Sequence, residues 1–241
     1  MLKHTILNLI VTIRYKIMII NGTINARTRL ILAHGSGSDM ESSFMHLVAT
    51  KLSSIVKCEG GFSVVRFNFP YIDSIKKSGK RRPPDRTDKL IESFKDTIQQ
   101  QIEDGAETLH IGGKSMGGRI ASMICDDVPE VKKLICLGYP FHPPSKPEKL
   151  RTQHLYNLQT SCLICQGERD KFGNLDEVHS YDLPEIIKIR WIKDGEHSFV
   201  PRKKSGTTET DNINDLINEV ANFISSEDSE LQPLPTPETP Y

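Results

Sequence analysis

Two hydrophobic periodicities alternate along the middle of the chain. Short runs of β-branched and apolar residues predict strands over residues 30–34, 62–67, 108–112, 132–138, 161–166 and 186–192. Between and after these runs, apolar residues recur at helical spacing, and the first such face is formed by Phe44, Leu47, Val48, Leu52, Ile55 and Val56. Parallel neighbouring strands need crossovers of about a dozen residues or more. The alternation therefore predicts an α/β fold in which helices cover both faces of a mainly parallel sheet.

The two ends of the chain depart from this pattern. Residues 1–20 are apolar, but Arg14 and Lys16 interrupt the run and leave it too short to cross a bilayer, so we expect no membrane partner. The run predicts either an extra strand or an upstream extension of a protein that begins at Met18. Residues 227–241 combine four prolines with acidic and small polar residues, which predicts a disordered tail. We therefore expect a single domain over residues 18–226, with residues 1–17 outside it.

The composition narrows the class of partner. Lys and Arg total 31, as do Asp and Glu, so the formal net charge of the 241-residue chain is zero. Nucleic acids and acidic membranes select a basic excess or a basic face, so we expect neither and instead expect a small-molecule partner. The five cysteines are odd in number and lack zinc-site spacing, which favours reduced thiols in a cytoplasmic protein. Composition leaves the oligomeric state open.

A glycine-flanked serine follows the predicted strand over 108–112. Residues 113–118 read Gly-Lys-Ser-Met-Gly-Gly and lead into a helical run, which is a G-x-S-x-G elbow in a strand–turn–helix context. Such a turn raises the Ser115 hydroxyl above the sheet and points the amide of Met116 to where an oxyanion would form. The alternative is a phosphate-binding loop at a helix N-terminus, although Lys114 precedes the serine and the Walker spacing is absent. The pattern favours a nucleophilic serine.

A carboxylate and a histidine follow two later strands. Asp170 comes directly after the predicted strand over 161–166, and His197 follows the one over 186–192. The carboxyl ends of parallel strands meet at one edge of a sheet, so both residues should lie near Ser115. We expect His197 to take the serine proton and return it to the leaving group, while Asp170 orients the imidazole and stabilises its cation.

Other residues compete for these two roles. Glu168 or Asp176 could be the acid, in which case Asp170 would only cap the helix that begins near residue 175. His142 and His179 are competing bases, but neither lies on the loop after the last strand. Placement favours the residues named above.

The loop after the first core strand offers a second oxyanion donor. Residues 34–38 read His-Gly-Ser-Gly-Ser, and small residues there leave backbone amides free to face a developing negative charge. We expect the Ser36 amide to be this donor and His34 to brace the loop by hydrogen bonds. A plain tight turn into a helix that begins near Glu41 would give the same sequence.

Together these residues resemble the α/β-hydrolase superfamily. Within it, the chain is similar to the dienelactone-hydrolase-related group, which includes testis-expressed protein 30 and the hydrolase-like part of regulatory subunit 3 of the NSL complex. The resemblance spans about residues 19–224 and rests on the stretches 34–40, 81–84, 112–119, 136–144, 165–170 and 194–199. It implies a single hydrolase domain with a full triad, at Ser115, Asp170 and His197, and it implies no particular substrate.

Three further stretches invite interpretation. Basic residues at 76–86 could form a substrate-entry loop, but a solvated loop paired with acidic neighbours is the simpler reading. The proline-rich stretch 139–144 predicts a stiff pocket wall and is too short for a separate cap domain. Cys162 and Cys165 have redox-motif spacing but lie within an apolar strand, which favours buried packing groups.

The sequence therefore predicts a serine hydrolase that cleaves an ester, thioester or lactone by two-step acyl transfer, with no cofactor and no metal. A peptidase is less favoured, because no cap or second domain encloses a peptide. The alternative from a different class is a non-catalytic interaction module on the same fold.

Overall fold

The strands form one seven-stranded sheet. The protein is described here by a computed structural model that covers residues 17–226. Within that range the strand order is β1-β3-β2-β4-β5-β6-β7. The strands are β1 (Met18–Gly22), β2 (Thr28–Ala33), β3 (Phe62–Phe67), β4 (Thr108–Lys114), β5 (Val131–Leu137), β6 (Ser161–Gly167) and β7 (Ile187–Ile192). β1 is antiparallel to β3, and every other neighbouring pair is parallel.

Within residues 17–226, six helices cover the two faces of this sheet. They are α1 (Ser43–Ile55), α2 (Pro70–Ser78), α3 (Thr87–Glu103), α4 (Met116–Ser122), α5 (Leu175–His179) and α6 (Glu209–Ser225), with 3₁₀ turns at Cys125–Asp127 and Gln153–Asn157. Helices α1 and α6 pack on one face, and α2 to α5 pack on the other. The predicted α/β class and its mainly parallel sheet are confirmed, and no large cap is inserted after β5. No helix within residues 17–226 combines the length and apolarity needed to span a bilayer.

The predicted strand bounds agree with the structure to within two residues. The apolar run at the start of the chain contributes β1, whose antiparallel pairing with β3 closes one edge of the sheet. The remainder of the predicted extension, residues 1–16, lies outside the described residues, and so does the predicted tail, 227–241. The proposed domain limits stay a prediction.

The predicted apolar face of α1 was wrong in part. Leu47 and Ile55 are 39% and 44% exposed, whereas the buried stripe consists of Met45, Val48, Ala49, Leu52 and Val56. Residues at i, i+3, i+4, i+7 and i+11 share one side of a helix, and Leu47 falls on the opposite side. The prediction grouped apolar residues from more than one side of the helix and overlooked Met45 and Ala49, which belong to the buried stripe. The basic run also differs from the predicted loop, because its first two lysines lie on α2.

Candidate active site

Ser115 occupies a strained turn between β4 and α4. Its backbone has a φ of 51°, in the left-handed region, and its amide donates to the carbonyl of Leu137 at 3.0 Å. A Cβ atom on either Gly113 or Gly117 would lie 2.4 Å from the carbonyl oxygen of Ala33. The close approach of the elbow to β2 therefore requires glycine on both sides of the serine, which explains the G-x-S-x-G spacing.

Ser115, His197 and Asp170 form one hydrogen-bonded series. The distance from Ser115 Oγ to His197 Nε2 is 2.9 Å, and His197 Nδ1 lies 2.7 Å from Asp170 Oδ2. The Asp170 side chain is fully buried and that of His197 is 21% exposed. An ionised carboxylate only accepts, so Nδ1 carries the proton and Nε2 is free to accept from the serine hydroxyl. This arrangement can draw a proton from Ser115 toward the imidazole.

The competing acids lie elsewhere. The carboxylate of Glu168 accepts from the amide of Asp194 at 2.7 Å. Asp176 lies exposed in the first turn of α5, whose N-cap is Asn174 rather than Asp170. Asp170 is therefore the carboxylate that contacts the imidazole, and it does not cap the helix.

The competing histidines also have other neighbours. His142 Nε2 lies 3.4 Å from a carboxylate oxygen of Glu177, and the ring of His179 meets the edge of Trp191. Of the three candidate bases, the structure places only His197 against Ser115.

The loop after β2 is braced from beneath. His34 Nδ1 lies 2.8 Å from the carbonyl oxygen of Gly35, and Nε2 accepts from the amide of Phe69 at 3.1 Å. The Tyr71 hydroxyl donates to the carbonyl oxygen of Ser36 at 2.9 Å. Hydrogen bonds to the carbonyl oxygens of Gly35 and Ser36 thus hold the loop in place. The contacts of His34 match the bracing role that the sequence predicts for it.

Both residues predicted to supply the oxyanion donors line the same cavity as the serine. A cavity of about 560 Å³ is lined by Ser36, Ser115, Met116 and His197. Met116 is the first residue of α4, so its amide has no acceptor within the helix. The four residues predicted to supply the hydroxyl, the imidazole and the two amides therefore line one cavity.

A buried glutamine that the sequence reasoning missed holds Asp170 in place. Gln166 Nε2 lies 3.0 Å from Asp170 Oδ2, 3.0 Å from the carbonyl of Gly173 and 3.1 Å from that of Tyr139. Gln166 Oε1 accepts from the Tyr139 amide at 2.7 Å, and Asp170 Oδ1 accepts from the amide of Phe172 at 2.9 Å. Both oxygens of the carboxylate are thus fixed. The available signal was a polar residue at the end of an otherwise apolar strand.

Lys114 ties the histidine loop to the elbow, and the sequence reasoning missed this as well. Its Nζ donates to the backbone carbonyl of His197 at 2.6 Å and lies 5.1 Å from the ring centre of Phe199. Burial lowers the pKa of Lys114 to about 8, against the attraction of Asp170 and Glu196. One buried ammonium group therefore links the residue before Ser115 to the backbone of His197.

We expect Lys114→Met to reduce kcat about ten- to a hundredfold, because the His197 loop loses its tether and small misplacements are costly. At pH 7 the melting temperature should be unchanged or higher, since a buried ammonium has been removed. The folded protein loses this proton near pH 8 and the unfolded chain near 10.5. Between these values the unfolded chain binds more protons, so the stability of the wild-type protein should rise relative to the variant as the pH increases.

Thermal unfolding and ester turnover, measured from pH 7 to 10, check this prediction. The matched control is Lys132→Met, because the exposed ammonium of Lys132 also donates to a backbone carbonyl, that of Pro129 at 2.8 Å. A Lys114 variant with unchanged kcat would contradict the tethering role.

Half of the cations in the basic run, Lys76, Arg82 and Arg86, pair with nearby acids, and Lys76 does so with Asp39 and Glu41. Asp85 Oδ1 lies 2.8 Å from Arg82 and 3.4 Å from Lys89, and Arg86 lies 3.8 Å from Asp88. These contacts favour the simpler reading of the run, in which the cations are neutralised locally.

The two cysteines of β6, Cys162 and Cys165, are buried packing groups. Cys162 and Cys165 are fully buried and face opposite sides of the sheet. All five cysteines of the chain lie within the described residues and none forms a disulfide. Burial raises the pKa of the Cys165 thiol, which disfavours the reactive thiolate.

A parallel sheet closed by one antiparallel edge strand, with a left-handed serine at the turn from β4 into α4, defines an α/β-hydrolase fold. Residues 26–225 match the family described as alpha/beta hydrolase domain, and the chain belongs to that family.

Solved structures share this fold. An α/β serine hydrolase without lid from Xanthomonas campestris is 17% identical, with a TM-score of 0.63 over 87% of this chain and 90% of that one. An esterase from Pyrococcus furiosus is 14% identical, with a TM-score of 0.61 over 83% and 82%. A dienelactone hydrolase from Anabaena variabilis is 17% identical, with a TM-score of 0.54 over 83% and 86%. At these identities the likeness is one of fold.

Proposed function

We propose that the protein is a serine hydrolase that cleaves a small ester, thioester or lactone by two-step acyl transfer. The observation that carries this proposal is the continuous series from Ser115 Oγ through His197 to the buried Asp170, with distances of 2.9 and 2.7 Å. The series opens on a cavity large enough for a small substrate.

In the first step, Ser115 Oγ attacks the carbonyl carbon and His197 Nε2 takes the hydroxyl proton. The carbonyl oxygen becomes an oxyanion, which the amides of Met116 and Ser36 stabilise. Collapse of this intermediate breaks the ester bond, and His197 gives the proton to the departing alcohol or thiol. The result is an acyl group on Ser115.

In the second step, His197 takes a proton from water, which attacks the acyl carbon. A second oxyanion forms at the same two amides, and its collapse returns the proton to Ser115 Oγ and releases the acid. Asp170 stays ionised throughout, because its role is to hold Nδ1–H and stabilise the transient imidazolium. These steps require neither a metal nor a cofactor.

The proposed substrate is a small acyl compound. The chain inserts no cap between β5 and β6 that would enclose a large substrate. The esterase and dienelactone hydrolase among its structural relatives belong to the same reaction class. The motifs that resemble the dienelactone-hydrolase-related group support membership of that group. The unpaired thiols support a cytoplasmic location, and the balanced charge supports neither nucleic acid nor membrane as partner.

The test is fluorophosphonate labelling of the native protein, combined with turnover of aryl esters of increasing acyl length. We expect labelling at Ser115 and turnover of the shorter esters. The heat-unfolded protein is the control, since labelling must depend on the assembled site. A well-folded protein that is neither labelled nor active on any ester would favour the non-catalytic interaction module instead.

A further inference from the structure

Arg119 lies beside the proposed nucleophile and has no ion-pair partner within the part of the chain that the structure describes. It lies on α4, and its amide donates to the carbonyl of Ser115 at 3.1 Å, so it follows the serine by one helical turn. Its side chain lines the Ser115 cavity, and its Nε is buried without a hydrogen-bond partner among the described residues. A buried donor with no acceptor costs free energy, so Arg119 carries an unsatisfied N–H group beside the cavity.

Arg151 is a second cation on the same cavity. It follows β5, where its amide donates to the Phe141 carbonyl at 2.7 Å and its carbonyl accepts from the Tyr139 hydroxyl at 2.9 Å. The pKa of Arg151 is lowered mainly by burial and, to a smaller extent, by repulsion from Arg119. Two like charges thus act on each other beside the proposed nucleophile.

Neither guanidinium group has a carboxylate partner within residues 17–226. The arginines whose guanidinium groups pair with carboxylates there are Arg27, Arg82, Arg86, Arg169, Arg190 and Arg202. Among the residues that line the cavity, the carboxylate is that of Asp85, and Arg82 and Lys89 already contact its Oδ1. The pair at Arg119 and Arg151 therefore lacks a counter-charge.

We propose that Arg119 and Arg151 bind a carboxylate carried by the substrate, so that the enzyme acts on monoesters or thioesters of short dicarboxylic acids. This inference rests on the proposed acyl-transfer function and names its substrate class. The planar forks of two guanidinium groups match a carboxylate, whose negative charge relieves their mutual repulsion. One helical turn between Ser115 and Arg119 sets a short distance from the scissile ester to the carboxylate.

The kinetic test compares 4-nitrophenyl hydrogen glutarate with its methyl ester, in which a slightly larger neutral group replaces the charged carboxylate. We expect kcat/KM to favour the anionic ester about ten- to a hundredfold, and Arg119→Gln or Arg151→Gln to remove most of that ratio. Arg151→Lys should retain part of it, because the charge remains. The control is Arg27→Gln, an exposed arginine that pairs with Glu107. A wild-type ratio near one, or a ratio that both glutamine variants preserve, would overturn the proposal.

A binding measurement keeps the inference separate from catalysis. Glutarate is titrated calorimetrically into full-length Ser115→Ala protein, with and without Arg151→Gln. Binding that depends on Arg151 supports the subsite even if no ester is hydrolysed, whereas turnover of the neutral ester without glutarate binding overturns the subsite and leaves the proposed hydrolase intact. Tighter binding of inorganic phosphate than of glutarate would overturn the choice of carboxylate.

Discussion

Ser115→Ala should abolish ester turnover and fluorophosphonate labelling while leaving the protein folded. Removing Oγ removes the atom that forms the acyl intermediate, and a loss of about 10⁴-fold or more in kcat is typical for such a nucleophile. The stability change should be small, because the Cβ atom and the left-handed backbone are retained and the hydrogen bond to His197 is the one lost. Circular dichroism and thermal unfolding establish the fold, and burst kinetics measure the residual activity.

A second serine, Ser122 at the end of α4, also contacts a histidine and supplies the matched control. Ser122 Oγ lies 2.8 Å from His154 Nε2. The pKa of His154 is lowered to about 4, mainly by burial and to a smaller extent by repulsion from Arg119. Ser122 is buried in the packing of α4. The Ser122→Ala variant should therefore still be labelled by the fluorophosphonate at Ser115. Labelling that persists in Ser115→Ala and disappears in Ser122→Ala would refute the assignment of the nucleophile.

Asp170→Asn should lower kcat by about 10⁴-fold, which is nearly as severe although the shape of the site is retained. In the native site both carboxylate oxygens accept, Oδ1 from the Phe172 amide and Oδ2 from Gln166 and His197. An asparagine amide nitrogen would face a donor in either orientation. If it faces His197, the imidazole is driven to the tautomer whose Nε2 carries the proton, and that nitrogen can no longer accept from Ser115.

The pH dependence of turnover and the rate of fluorophosphonate labelling both measure this loss. Asp176→Asn and Glu168→Gln are the paired controls, since each removes one of the other carboxylates that the sequence offers as the acid. A large loss of activity in Asp176→Asn, with Asp170→Asn active, would show that the acid has been misassigned.

The sequence predicted those features that depend on local pattern and topology. Strand positions follow from runs of apolar residues, and Ser115, Asp170 and His197 could be selected because the residues after parallel strands meet at one edge of the sheet. Lys114, Gln166 and the Arg119–Arg151 pair could not be selected in this way. The groups that lie beside each of these side chains come from other parts of the chain, and they become its neighbours only when the strands are assembled. The wrongly predicted face of α1 has a different cause, because the prediction combined apolar residues that helical spacing places on different sides of the helix.

The placement of Ser115, Asp170 and His197 after β4, β6 and β7 has a consequence for folding. No two of these strands except β6 and β7 are neighbours, and β5 must be seated between the serine and the other two residues. Contacts so distant along the chain form late, because loop closure must precede them. During refolding, ester hydrolysis should therefore recover later than the helical circular dichroism signal. Hydrolysis would then report the step in which β4, β5, β6 and β7 come together.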